Sequence, residues 1–117
     1  MDFTCILKGL SEKVHAQGAA MIDRDGEVVA SWSRANGPDM ELVGAHYEII
    51  LDSANEAASI RANQVKSVFI STDTAKIAIM PIKEGYCLVV ALDRKAPSGR
   101  VLAEAAKTIE IIEVEMG

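Results

Sequence analysis

An α+β fold with element order α-β-β-α-β-β-β-α is predicted by three features of the sequence. Apolar residues recur at helical spacing near the start, over residues 40–63 and towards the end. Between them lie five short runs rich in Val, Ile, Ala and Met, each bounded by turn residues. The last three runs are joined by loops so short that their strands must be antiparallel neighbours. Helices covering such a sheet form an α+β sandwich. The 117 residues suffice for one domain, 1–117, and are too few for two.

The first helix follows from Phe3, Ile6, Leu7, Leu10 and Val14, which make one apolar stripe. Gly18 is the expected stop. Residues 19–23 and 27–33 then read as two strands. Between them, Asp25-Gly26 suits a hairpin turn because both residue types tolerate positive φ. In the second strand, Val28, Ala30 and Trp32 are expected on one face. Asp39 is a candidate N-cap for the long helix.

Residues 40–63 contain no Pro and a single Gly, Gly44. Val43, Tyr47, Ile50, Ala54 and Ala57 line one face. Leu42, His46, Ile49, Ser53 and Ile60 lie beside them, and Leu51 and Ala58 widen the other flank. Glu41, Glu48, Asp52, Asn55 and Ser59 fall opposite. The largely apolar arc spans about 200°, against about 100° for a helix that covers one core. Such a helix needs something besides its own sheet to pack against.

Residues 65–72, 75–82 and 86–92 are the remaining strands, turning at Asp73-Thr74 and Glu84-Gly85. The last is apolar on both faces, as a central strand should be. Pro81 cannot donate to a ladder and implies a bulge or a strand end. A final helix opens at Pro97 or Ser98. Leu102, Ala105, Ala106, Ile109, Ile112 and Met116 give it an apolar face.

Seventeen acidic residues against twelve Lys and Arg leave a net charge of -5. That balance excludes a whole-surface nucleic-acid binder, which needs cationic phosphate contacts. Five aromatics supply no base-stacking platform. Cys5 and Cys87 form no Cys-x-x-Cys pair and read as buried, reduced thiols. No apolar run approaches the roughly 20 residues of a membrane span. The opening MDFTCILKGLSEK lacks a signal-peptide pattern, so a cytoplasmic location is expected.

At this point residues 18–30, GAAMIDRDGEVVA, carry a resemblance. An apolar strand meets Asp-x-x-Gly and a second apolar strand, and residues 65–70, 76–80 and 86–92 supply three later strands. The chain resembles the Roadblock/dynein light chain family, especially its small bacterial and archaeal members that regulate Ras-like GTPases. The resemblance implies a sheet in order 2-1-5-4-3, with the long helix on one face and the terminal helices on the other. It also implies a homodimer in which long helices pair and third strands join edge to edge. The dimer seam would then comprise Leu42, His46, Ile49, Ser53, Ile60, Val65, Ser67, Val68, Phe69 and Ile70. An uncovered apolar edge at Val68, Phe69 and Ile70 would otherwise invite aggregation.

Sites of chemistry are sparse. Neither Gly-x-x-x-x-Gly-Lys-[Ser/Thr] nor Gly-x-Gly-x-x-Gly occurs, so no nucleotide-binding loop is expected. Asp23 through Glu27 lacks the twelve-residue calcium pattern and reads as a turn. His15 reads as a helix-end residue, and His46 as an interface or satisfied buried histidine. Two histidines set far apart make no convincing triad or metal site. Trp32 reads as core, and Arg61, Arg94, Lys95 and Arg100 as scattered surface charge. No catalytic, metal or cofactor residues are assigned. Glu48, Asp52, Asn55 and Glu56 are candidate contacts for a Ras-like GTPase, where charge would set rate and orientation. Two rival readings are a PAS- or GAF-like small-ligand sensor and a structural adaptor of dynein light-chain type.

Overall fold

Asp2 starts α1 (Phe3–Val14): its carboxylate accepts the Thr4 N–H at 3.2 Å. His15 ends it, in the left-handed region at φ 55°, returning its N–H to the Ser11 carbonyl. The helix thus stops before Gly18, which instead opens β1 (Gly18–Ile22). The computed structural model describes residues 2–61 and 63–117, the side chains of Ala45 and Glu48 apart.

The remaining elements are β2 (Val28–Ser33), α2 (Met40–Ser59), β3 (Val68–Ser71), β4 (Ala75–Pro81), β5 (Cys87–Asp93) and α3 (Ser98–Met116). One antiparallel sheet runs β2-β1-β5-β4-β3. This is the order and class that the sequence and its resemblance imply. Central β5 is buried on both faces from Cys87 to Leu92.

Alternation along the strands builds two apolar layers. Ala19, Met21, Leu88, Val90 and Leu92 pack against the α1 and α3 side, where Leu7, Leu10, Val101 and Ile112 meet them. Ala20, Ile22, Ile77, Ile79 and Val89 pack against α2.

The β1–β2 connection is held by the Asp23 carboxylate, which accepts the N–H groups of Asp25 (2.9 Å) and Glu27 (3.0 Å). Only Gly26 of the Asp-Gly pair takes positive φ, at 85°. Val28 departs from the expected face. Met21 pairs with Ala30 while Ile22 pairs with Val28, so Val29 is an extra residue and the strand bulges. The bulge turns Val28 to the α2 layer and leaves Ala30 and half-buried Trp32 on the other.

Three further expectations are corrected. Cys5 is exposed, because the buried stripe of α1 is Ile6, Leu7, Leu10, Ser11 and Val14. The buried line of α3 is Val101, Ala105, Thr108 and Ile112, which turns Leu102 and Ala106 outwards. α2 stops at Ser59 rather than at residue 63, because the N–H groups of Arg61 and Asn63 both fold back to the Ala58 carbonyl.

β3 is also shorter than its expected span of 65–72, and Pro81 supplies the reason. Val68 pairs with Ile79, so continuing the register would set Lys66 opposite Pro81. Ile82 donates its N–H towards β5, at Tyr86 O (2.7 Å). By alternation, the position of the missing Pro81 N–H faces the β3 side. The ladder ends there.

Candidate interaction surface

Asp39 caps α2, its carboxylate accepting the N–H groups of Glu41 (3.1 Å) and Leu42 (3.4 Å). Gly44 lets the helix lie close on β1. A Cβ there would stand 2.5 Å from Ile22 Cδ1 and 3.3 Å from Ala20 Cβ. Met40 and Leu51 are buried against the sheet, with Val43, Tyr47 and Ile50 half-buried beside them. The sheet-facing line therefore runs through Leu51, which the sequence places only on a flank.

This rotation sets the second apolar stripe almost opposite the core. At about 100° per residue, Leu42, Ile49 and Ile60 lie roughly half a turn from Met40 and Leu51. They are 71%, 62% and 86% exposed. His46 and Ser53 are exposed between them. The Ser53 hydroxyl donates to Ile49 O at 3.2 Å, and the His46 ring stands edge-on to Tyr47, centroids 5.0 Å apart.

The other expected seam residues lie at the free edge of the sheet. Val68, Phe69 and Ile70 are half-buried in β3, which has β4 on one side only. Val65 and Ser67 precede the strand and are half-buried as well. Val68 and Ile70 face the α2 layer, and Phe69 faces the α1 and α3 layer.

The proposed partner contacts separate from one another. Asp52 and Glu56 are exposed, and the side chain of Glu48 lies outside the described residues. Asn55, expected on the outward strip, is half-buried. Its Oδ1 accepts the N–H of Val65 at 3.2 Å and ties α2 to the segment entering β3. Asp52 and Asn55 border a cleft of about 340 Å³, with Gln64, Val65, Pro81 and Tyr86 around it. The sequence does not reveal this cleft, because its walls come from segments far apart in the chain.

The four arginines and lysines considered together do not meet. Arg61 follows α2, whereas Arg94, Lys95 and Arg100 lie between β5 and the first turn of α3. Arg94 donates to Asp73 O at 3.2 Å and Arg100 to Lys13 O at 3.1 Å. Among the described residues, no three His, Cys, Asp or Glu side chains gather as a metal site would require. No helix there is long and apolar enough to cross a membrane.

Several solved structures share this architecture. Myxococcus xanthus MglB is 15% identical over 97% of this chain and 94% of its own, with a TM-score of 0.86. A Roadblock/LC7 domain from Streptomyces avermitilis is 23% identical over 99% and 98%, at 0.84. The gliding protein MglB of Thermus thermophilus is 17% identical over 95% and 85%, at 0.83. No curated protein matches the sequence. The family model of the Roadblock/LC7 domain matches residues 5–92. With three quarters of its length matched in this way, the chain belongs to the Roadblock/LC7 family.

Proposed function

We propose that the chain is a non-catalytic, cytoplasmic homodimer that binds a small Ras-like GTPase and modulates its nucleotide cycle or its location. The observation that carries the dimer is the exposed line Leu42, Ile49 and Ile60, on the side of α2 turned away from its own sheet. Three large aliphatic side chains on one helix face lose apolar contact with water when a second copy covers them. The β3 edge adds to this. Its pairing with β4 is regular, with neither bulge nor proline inside the strand, so it is open to a further strand. The other edge, β2, carries the bulge at Val29, which disfavours pairing there.

The partner class rests on the resemblance to Roadblock regulators of Ras-like GTPases. Two α2 helices side by side would offer a platform flanked by Asp52 and Glu56, suited to a basic patch on the GTPase. In this reading Asn55 acts from behind, by holding the segment that leads to β3.

Light-scattering chromatography tests the dimer. The wild type should run at about twice 12.5 kDa, and Ile49→Asp should run as a monomer, because a carboxylate in a dry seam costs several kcal/mol. A monomeric wild type would overturn the reading. A pull-down from native lysate, with GDP or with a GTP analogue present, tests the partner, and recovery of no GTPase in either state would count against it.

The cleft beside Asp52, Asn55, Gln64 and Tyr86 favours one rival, a small-ligand sensor. A metabolite panel in thermal-shift format tests that rival, since a ligand that binds only the folded state raises the melting temperature.

A further inference from the structure

Pro81 does more than end the ladder between β3 and β4. In an antiparallel strand the N–H and C=O of one residue share a side, so the Pro81 carbonyl also faces β3. Continued register would set Lys66 opposite it, but β3 begins only at Val68. Among the described residues no N–H donates to that carbonyl. The chain before β3 is tied to α2 instead, through the bond from Val65 N–H to Asn55 Oδ1 at 3.2 Å. Between α2, this segment and the β4–β5 turn lies the cleft of about 340 Å³. That volume is at the small end of the roughly 300–1,000 Å³ usual for ligand clefts.

Its walls divide by chemistry. Leu51, Val65, Pro81 and Ile82 supply apolar surface. Among the described residues, Asp52 is the only charged one that borders the cleft. No hydrogen bond or ion pair with a described residue engages its carboxylate. Arg61 and Lys66, close by in sequence, are not among the walls, nor is Arg24, which sits against Gly85. An unengaged carboxylate, an unpaired main-chain carbonyl and apolar walls suit one kind of ligand. It donates several hydrogen bonds, carries positive charge and brings a short hydrocarbon stem. An anion would meet Asp52 with no cation to offset it. A wholly apolar molecule would strip water from the carboxylate and return nothing.

We propose that this cleft binds a small organic cation, an ammonium or guanidinium on a short aliphatic chain. The charged head meets Asp52 and the Pro81 carbonyl, and the stem lies on the apolar walls. The site goes beyond the dimer and the GTPase and does not depend on them. The Leu42–Ile49–Ile60 line is on the side of α2 turned away from its sheet, and it stays free to pair while the cleft is filled.

Butylguanidinium and butylammonium, titrated in turn into the full ¹⁵N-labelled chain and followed by amide chemical shifts, test it. With at least one of them, saturable shifts should concentrate at Gln64, Val65 and the Asn55 side-chain amide. Asp52→Asn keeps the shape of the cleft and should weaken binding at least about fivefold. Glu41→Gln removes a carboxylate at the other end of α2 and should leave binding unchanged. Butylurea, which keeps the size of butylguanidinium without its charge, should bind at least about fivefold more weakly. A capped Gly-Arg-Gly tripeptide should also bind more weakly than the free cation, because its backbone exceeds the small cleft. No saturable shift at these positions, equal losses in Asp52→Asn and Glu41→Gln, or equal binding of butylurea overturns the proposal. So does a tripeptide that binds as tightly as the free cation, which would assign the cleft to a side chain of a partner protein. The oligomeric state does not enter the readout.

Discussion

The side-chain carbonyl of Asn55, in the second turn from the end of α2, accepts the backbone N–H of Val65 at 3.2 Å. Ten residues separate the two, and the bond closes the loop that carries the chain from helix to edge strand. Asn55→Ala should cost about 0.5–1.5 kcal/mol, the usual worth of such a bond. Urea unfolding measures that cost. Hydrogen exchange should speed up at the Val65 amide in particular, and an unchanged rate there would mean that packing alone holds the segment.

Gly44 lies against β1 with no room for a branched side chain, given 2.5 Å from a Cβ to Ile22 Cδ1. Ile22 is fully buried and has little space to retreat into. Gly44→Val should therefore lower stability by about 1–3 kcal/mol through overpacking. Thermal or urea denaturation decides it, and a neutral result would mean that α2 can lift off the sheet without cost.

Glu84 and Gly85 both take left-handed backbone, at φ 62° and 82°, in the tight turn between β4 and β5. Asn tolerates that conformation better than Glu. Glu84→Asn should raise stability by about 0.5–1 kcal/mol, read as a higher urea midpoint. Gly85→Ala should lower it, because the added Cβ would be strained and would stand 2.8 Å from Arg24 Cβ.

Ser11 is buried in α1, and its hydroxyl has no hydrogen-bond partner among the described residues. A desolvated, unpaired hydroxyl costs free energy that a methyl group does not. Ser11→Ala should leave stability unchanged or raise it by about 1 kcal/mol. A clear loss in calorimetry would reveal a partner for Ser11 Oγ, such as a bound water.

Much of this architecture is legible in the residues. Five apolar runs, short turns and three helical stripes lead to the observed element order, because period and punctuation are local properties. The errors arise where the answer depends on a neighbour. Val28 changes face because one extra residue bulges the strand, and nothing in Val28-Val29-Ala30 alone announces it. β3 loses its first residues to Pro81, which lies on another strand. Leu51 and Asn55 sit further towards the sheet than their helical-wheel positions suggest, since Gly44 draws the helix down at that angle. On α3, Ile111 and Val114 could have been noticed as aliphatic residues outside the apolar stripe.

The two rims of the sheet are unequal. One is straight at β3, and the other is kinked at Val29 on β2. Strand addition is favoured at the straight rim and disfavoured at the bulged one. In the proposed dimer two straight rims would meet, both outer margins would be kinked, and growth would end at a finite object instead of running on into a fibre. In that dimer a single surplus valine would help to set how large an assembly this chain can build.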